Sequence, residues 1–242
     1  MTALARPLFK YFGSKWKGSK HYPEPRYSTI VEPFAGSACY SCHYPDRRVI
    51  LSDLDEEVAA LWQWLITAQV ADFMVLPTEE LPEGFDLREL ESCGFARPAL
   101  DLVRRWQRIG HCSCWTVSSW NCRPGMWGDD VREHVASSLE SIRHWQAYHA
   151  PYWEIPVEAI GPATWFIDAP YQTPKGGYKH NAIDFAQLAA WVRSLPGQVI
   201  VCEQEGADWL PFRPSHEITG IKRRVHHHAA NFGKEMVWTN DV

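Results

Sequence analysis

Asp168-Ala169-Pro170-Tyr171 sets a carboxylate, a tight proline-containing turn and an aromatic ring directly after the apolar run Thr164-Trp165-Phe166-Ile167. That run reads as a buried strand, and the C-terminal ends of strands are where open α/β sheets bind ligands. The Asp168 carboxylate can accept a hydrogen bond from an amino group, the turn presents the backbone carbonyl of Ala169, and Tyr171 offers a face to a planar ring. Together they suit an exocyclic amine on a flat heterocycle such as a nucleobase. Asp, Pro and Tyr are equally ordinary in a turn that merely ends a strand. The segment therefore takes its meaning from what lies upstream.

Ile30-Val31-Glu32-Pro33-Phe34-Ala35-Gly36-Ser37-Ala38 has a similar construction. Residues 28–31 carry β-branched side chains and read as a strand, and the Pro33 to Ser37 run reads as the turn after it. Gly36 lets backbone pass close to a ligand, and the residues beyond could open a helix. The full G-x-G-x-x-G pattern is missing, which argues against a nicotinamide or flavin cofactor. A second strand over residues 48–52 ends in Asp53-Leu54-Asp55. An acid at that place commonly binds ribose hydroxyls, and one can instead cap the helix read over residues 56–67. Two carboxylates are present for the two jobs. The basic, aromatic run Phe9-Lys10-Tyr11-Phe12-Gly13-Ser14-Lys15-Trp16-Lys17 is expected to pack over a cofactor beside the glycine loop; a basic surface arm is the plainer reading.

In this order, the four pieces Tyr11-Phe12-Gly13-Ser14-Lys15, Glu32-Pro33-Phe34-Ala35-Gly36-Ser37, Asp53-Leu54-Asp55 and Asp168-Ala169-Pro170-Tyr171 make the chain resemble the Dam-type DNA adenine-N6 methyltransferases, especially the short ones of phages. The likeness runs from about residue 10 to 240 and is strongest at these motifs. It implies a Rossmann-like methyltransferase fold, S-adenosylmethionine as cofactor and double-stranded DNA as partner. Tyr11, Phe12, Gly13 and Lys15 would line the cofactor pocket, with Glu32, Pro33, Phe34, Ala35, Gly36 and Ser37 under the methionine half and Asp53 and Leu54 at the ribose. Asp168 and the Ala169 carbonyl would accept from the adenine N6, and Tyr171 would stack on the flipped base. The family usually has proline where this chain has Ala169; alanine keeps the carbonyl and loses rigidity, since only proline fixes φ. Cytosine N4, whose amine needs much the same acceptors, is the nearest alternative substrate, and a DNA-binding relative without activity is the alternative outside enzymes.

Composition is consistent with this. At 242 residues and 45% hydrophobic, the chain can form one large domain or a domain with an insertion around a substantial core. No apolar run is long enough for a membrane and no signal peptide opens the chain, which predicts a soluble intracellular protein; the resemblance implies the cytoplasm of a bacterium or phage-infected host. A net charge of -5 requires a DNA enzyme to gather its positive charge on one face. Seven cysteines, an odd number, favour reduced thiols. Cys39 and Cys42 have C-x-x-C spacing and His111, Cys112, Cys114 and Cys122 cluster, but neither matches a common zinc pattern. His226-His227-His228 is internal, its side chains point in different directions, and a polar loop near DNA fits it best.

The interval 78–148 differs from its flanks, 1–77 and 149–242, which are assigned to catalysis. Residues 97–107 read as a helix, and Asp129-Asp130 starts another predicted to reach about residue 148. Between them lie Trp115, Trp120, Asn121, Arg123 and Trp127. The resemblance makes this small helical insertion the target-recognition part. Asn121 and Arg123 could read base edges, whereas the tryptophans fit a buried cluster. Lys17, Lys175, Tyr178, Lys179, Arg223 and Arg224 complete the expected DNA contacts, three of them in a basic loop after Tyr171 that suits a lid. A helix over residues 185–195, a strand over 199–203 and a closing hairpin of 218–225 with 235–238 predict an α/β fold with a mixed, mostly parallel sheet.

Overall fold

The structure is a computed structural model, and it describes residues 4, 6–16, 18–79, 81–107, 114–117, 126–172, 178–215 and 234–240. Its first strand, β1 (Thr29–Glu32), is followed by β2 (Arg48–Asp53), helices α1 (Glu56–Thr67), α2 (Val70–Met74), α3 (Arg97–Trp106) and α4 (Asp129–Ile142), and strand β3 (Gln146–His149). Then come α5 (Val157–Ile160), β4 (Ala163–Ile167), α6 (Phe185–Ser194), β5 (Gly197–Gln204), β6 (Arg213–Pro214) and β7 (Glu235–Thr239). The fold is α/β.

The seven strands lie in the order β3-β2-β1-β4-β5-β7-β6. β1 to β5 are parallel, and β7 enters antiparallel between β5 and β6. From β1 the chain builds outward one way through β2 and β3, then returns and builds the other way through β4 and β5. This is the arrangement of a doubly wound sheet, whose ligand crevice opens where the direction reverses, here between the C-terminal ends of β1 and β4.

Strand periodicity explains how two cores form. Every residue of β1 and β4 is buried, as expected where helices cover both faces of a parallel sheet. Ile30, Val49, Leu51, Phe166 and Ile200 face one way, onto α1, α3 and α4 through Leu61, Trp62, Val103 and Leu139. Their neighbours Val31, Ile50, Trp165, Ile167, Val199 and Val201 face the other way, onto α6 through Leu188 and Val192. Successive strand side chains point to opposite faces, so single strands serve both cores.

One expectation is corrected. The helix predicted to run to about residue 148 ends at Ile142, and Gln146–His149 instead forms β3, pairing parallel with β2. Its mostly exposed residues carry no apolar run that would mark a strand. The described partners of β7 are β5 and the two-residue β6; residues 218–225, the expected partner, lie outside the described residues.

The middle interval packs on the same core as the sheet. Buried Asp101 binds Arg104 and Arg105 within α3, and Arg104 reaches Glu57 of α1 at 3.0 Å. Trp106 donates to the Leu8 carbonyl at 2.8 Å and Trp127 to that of Pro77 at 2.7 Å. Trp115 lies between the guanidinium groups of Arg97 and Arg104. Trp120 lies outside the described residues.

Candidate functional site

A cavity opens at the reversal point between β1 and β4. The N-terminal arm, the loop after β1 and the turn after β4 all reach it. Tyr11, Phe12, Gly13, Ser14 and Lys15 contribute from the arm, and Glu32 and residues 34–39 from the first strand and its loop. Phe166, Asp168 and Tyr178 line the opposite side. Pro33, Asp53, Leu54, Ala169, Pro170 and Tyr171 stand around the cavity without lining it.

The loop after β1 is held by its backbone. Gly36 adopts φ +45°, and a Cβ there would meet the Tyr11 ring at 2.9 Å, so the left-handed backbone and the close approach of the arm both call for glycine. The Gly36 amide donates to Asp53 Oδ2 at 2.9 Å, and its carbonyl accepts from the buried indole of Trp62 at 2.8 Å. Asp53 Oδ1 accepts from the Asp55 amide at 2.9 Å, and Asp55 in turn caps α1 by accepting from the Glu57 amide. The two acids thus divide the work: one clamps the glycine loop and the other caps the helix. Burial pushes the Asp53 carboxyl up against the pull of those amide bonds. Leu54 is exposed.

Glu32, 2% exposed at the end of β1, accepts from the Ser41 amide at 2.8 Å. Burial pushes its carboxyl up to about 8; the bonds from Ser41 oppose this and the charge of Asp168 adds to it. Among the described residues no cation pairs with it. Cys39, also at the wall, lies 3.0 Å from the Ser14 hydroxyl and 3.3 Å from that of Ser37. Burial pushes its thiol up to about 11, so it stays protonated at neutral pH and is a poor nucleophile.

The turn after β4 is held by charge. Lys15 Nζ stands 3.7 Å from Asp168 Oδ1 and 3.0 Å from Glu235 Oε1, donates to the Tyr171 hydroxyl and lies 4.4 Å over the Tyr171 ring. Burial works against the charge on Lys15, but Asp168 and Glu235 outweigh it and hold the ammonium above its ordinary range. Asp168 is pushed up to about 6 by burial, with Lys15 opposing and Glu235 and Glu203 reinforcing. Glu203 of β5 accepts from the Gln172 amide at 3.1 Å and the Trp209 indole at 2.9 Å, anchoring the chain just past Tyr171.

Tyr178 packs edge-on to Phe12 at 4.8 Å, with its hydroxyl over Gly13, and Lys179 pairs with Asp55 at 3.3 Å. The segment that carries Tyr178 and Lys179 thus runs from the cavity to the start of α1. Of the other expected DNA contacts, Lys17, Asn121, Arg123, Lys175, Arg223 and Arg224 lie outside the described residues, as do His111, Cys112, Cys122 and the three histidines. Cys42 is buried and Cys114 exposed. Among the described residues no group of three or more His, Cys, Asp or Glu could hold a metal ion, and no helix is long and apolar enough to cross a membrane.

Sequence reasoning missed Glu235, Glu203, Tyr22 and Cys39. A lone acid at the head of the apolar run Met236-Val237-Trp238 was the one signal for Glu235. No protein-family model matches the chain, and no curated protein matches it in sequence.

Proposed function

We propose that the chain transfers a methyl group from S-adenosylmethionine to the N6 amine of adenine in double-stranded DNA. The observation that carries this reading is the meeting of two strand ends, the glycine loop after β1 and the Asp168 turn after β4, on one cavity at the reversal point of the sheet. The mixed sheet with a reversed strand near its end agrees with the fold that the resemblance implies.

The lining of the cavity suits the cofactor in chemistry. A sulfonium and an ammonium call for negative partners, and Glu32 is a buried acid without a counter-ion among the described residues, whose ionisation a bound cation would favour. Tyr11, Phe12 and Phe34 supply flat apolar walls. Asp53, already clamped to Gly36, serves by shaping the loop, with lone pairs left for a ribose hydroxyl. When bound, the cofactor supplies a methyl group on a sulfonium, a carbon open to in-line attack by a nitrogen lone pair.

The chain's residues then act on the amine. The Asp168 carboxylate accepts one N6–H and the Ala169 carbonyl the other, which raises electron density on nitrogen and fixes its direction. Lys15 keeps Asp168 in its carboxylate form by opposing the effect of burial. The proton shed by N6 has an acceptor at Asp168 Oδ, whose affinity, raised to about 6, lets it release that proton to water near neutral pH. The target base has to leave the duplex, because N6 is otherwise engaged in pairing. Tyr178, at the wall of the cavity, offers aromatic surface to such a base.

The test is transfer of labelled methyl from S-adenosylmethionine to unmethylated DNA, followed by nucleoside digestion and mass analysis, with Asp168→Ala alongside. N6-methyladenine that disappears in the variant is the expected result. N4-methylcytosine would reassign the base, and cofactor binding with no product on any DNA would replace the enzyme by an inert relative.

A further inference from the structure

Glu235 is the one acid of the site on which three donors converge through a single oxygen. It opens β7 and is 8% exposed. Its Oε1 accepts from the Tyr171 hydroxyl at 2.6 Å and the Tyr22 hydroxyl at 2.8 Å, and lies 3.0 Å from Lys15 Nζ. The donors come from three places: the turn after β4, the segment before β1 and the N-terminal arm. Two hydroxyls and an ammonium on one oxygen favour the charge-assisted acceptance of a carboxylate over the weaker acceptance of an amide of equal shape. Lys15 is consequently shared between two acids and sits closer to Glu235 than to Asp168, by 3.0 Å against 3.7 Å.

We propose that Glu235 is a positioning residue: by holding Lys15 and the Tyr171 hydroxyl it keeps the lysine from closing onto Asp168, so that the Asp168 carboxylate stays available to a substrate amine. The assignment rests on the methyl-transfer reading above. Replacing the carboxylate by an amide leaves Lys15 with Asp168 as its nearest counter-ion at the turn. The ammonium then closes on that carboxylate and competes with the amine for its lone pairs, so turnover falls although every group that touches the substrate is still present.

The charged and titratable groups facing Asp168 give this a distinctive pH signature. They are Lys15 from the arm, Tyr22 from the segment before β1, Glu32 from β1, Cys39 from the loop after it, Tyr171 and Tyr178 after β4, Cys202 and Glu203 from β5, and Glu235 from β7. Losing the charge of Glu235 removes one carboxylate that repels Asp168 and strengthens the one cation that attracts it. Both changes make Asp168 easier to ionise. The acid limb of the pH–rate profile, set by Asp168, therefore moves to lower pH while the plateau drops. General damage to the fold lowers the plateau without moving the limb in that direction.

The experiment measures methyl transfer to unmethylated DNA from pH 5 to pH 9 for the full chain, Glu235→Gln and Glu235→Asp, together with cofactor affinity and thermal melting. Glu235→Gln is expected to lose about tenfold or more in kcat, the scale on which slight misplacement of reacting groups acts. It should bind cofactor nearly as the wild type does and shift the acid limb downward, with Glu235→Asp recovering part of the rate and the original limb. An unchanged kcat, or a lower kcat on an unmoved limb, overturns the assignment. If Glu235→Gln does not fold, Glu235→Asp decides: a lowered kcat at unchanged cofactor affinity supports the role and a wild-type kcat refutes it. A wild type that makes no methylated product removes the methyl-transfer reading and this assignment together, whereas an active wild type beside an equally active Glu235→Gln removes the assignment alone.

Discussion

The two strand ends that meet at the cavity are secured by opposite means. After β1 the chain is held by its main chain: the Gly36 amide is bound by Asp53 and its carbonyl by Trp62, and the loop passes so close to Tyr11 that a methyl group would not fit. After β4 the chain is held by side-chain charge from strands at the far end of the sequence, through Glu203 on Gln172 and Glu235 on Tyr171. The first region is fixed by shape and the second by ionisation. That difference accounts for Ala169. A turn gripped from outside by two buried acids depends less on proline for its rigidity, and alanine still offers the carbonyl.

If charge governs the second region, its largest response is to the loss of the central acid. Asp168→Ala is expected to cut methyl transfer by about a hundredfold or more, the usual scale for removing one preorganised polar partner of a reacting group, while cofactor binding persists. Turnover within a few-fold of wild type in a labelled-methyl assay would remove Asp168 from the chemistry. If shape governs the first region, Gly36→Ala strikes it hardest. The positive φ and the contact with Tyr11 together should cost about 2 kcal/mol of stability, read as a lower urea midpoint; an unchanged midpoint would mean that the loop is not held by backbone fit.

Glu32 lies at the border between the two regimes, and pH separates them. Its carboxyl is raised to about 8 in the folded chain, against an ordinary value of 4.5. The folded state therefore holds the proton more tightly, and the contribution of Glu32 to stability falls as pH rises from the ordinary carboxylate range through about 8. Glu32→Gln should escape that loss, so its melting temperature gains on the wild type between pH 5 and pH 9; parallel curves would contradict the buried acid. The smallest effect belongs to Lys179→Ala. Its pair with Asp55 is solvent-exposed on the lysine side, and its removal should change stability by less than about 0.5 kcal/mol. A larger change by chemical denaturation would make the segment that carries Lys179 part of the scaffold.

Much of the backbone-held region was legible in the sequence. Apolar runs ending in Glu32, Asp53 and Asp168 marked three parallel strands, and the glycine after the first identified the loop. The roles of Asp53 and Asp55 could be anticipated only as a pair of jobs; their division depends on where the Gly36 amide lies. The charge-held region was far less legible. Glu235 lies 213 residues from Tyr22 and 64 from Tyr171, and no local pattern joins them. β3 escaped notice for a different reason. As an exposed edge strand it has neither the apolar run of a central strand nor a turn signal before it, and its residues continue an adequate helical pattern.

The place of β7 in the sheet also bears on how the protein is made. Of the described strands it is the last to be synthesised, yet it inserts between β5 and β6 and carries the acid that ties Lys15, Tyr22 and Tyr171 together. A nascent chain that has already formed β1, β4 and the cavity between them still lacks this tie. Completion of synthesis is thus built into the site as a condition of its assembly: a chain interrupted before β7 has the walls of the cavity without the acid that organises its charge.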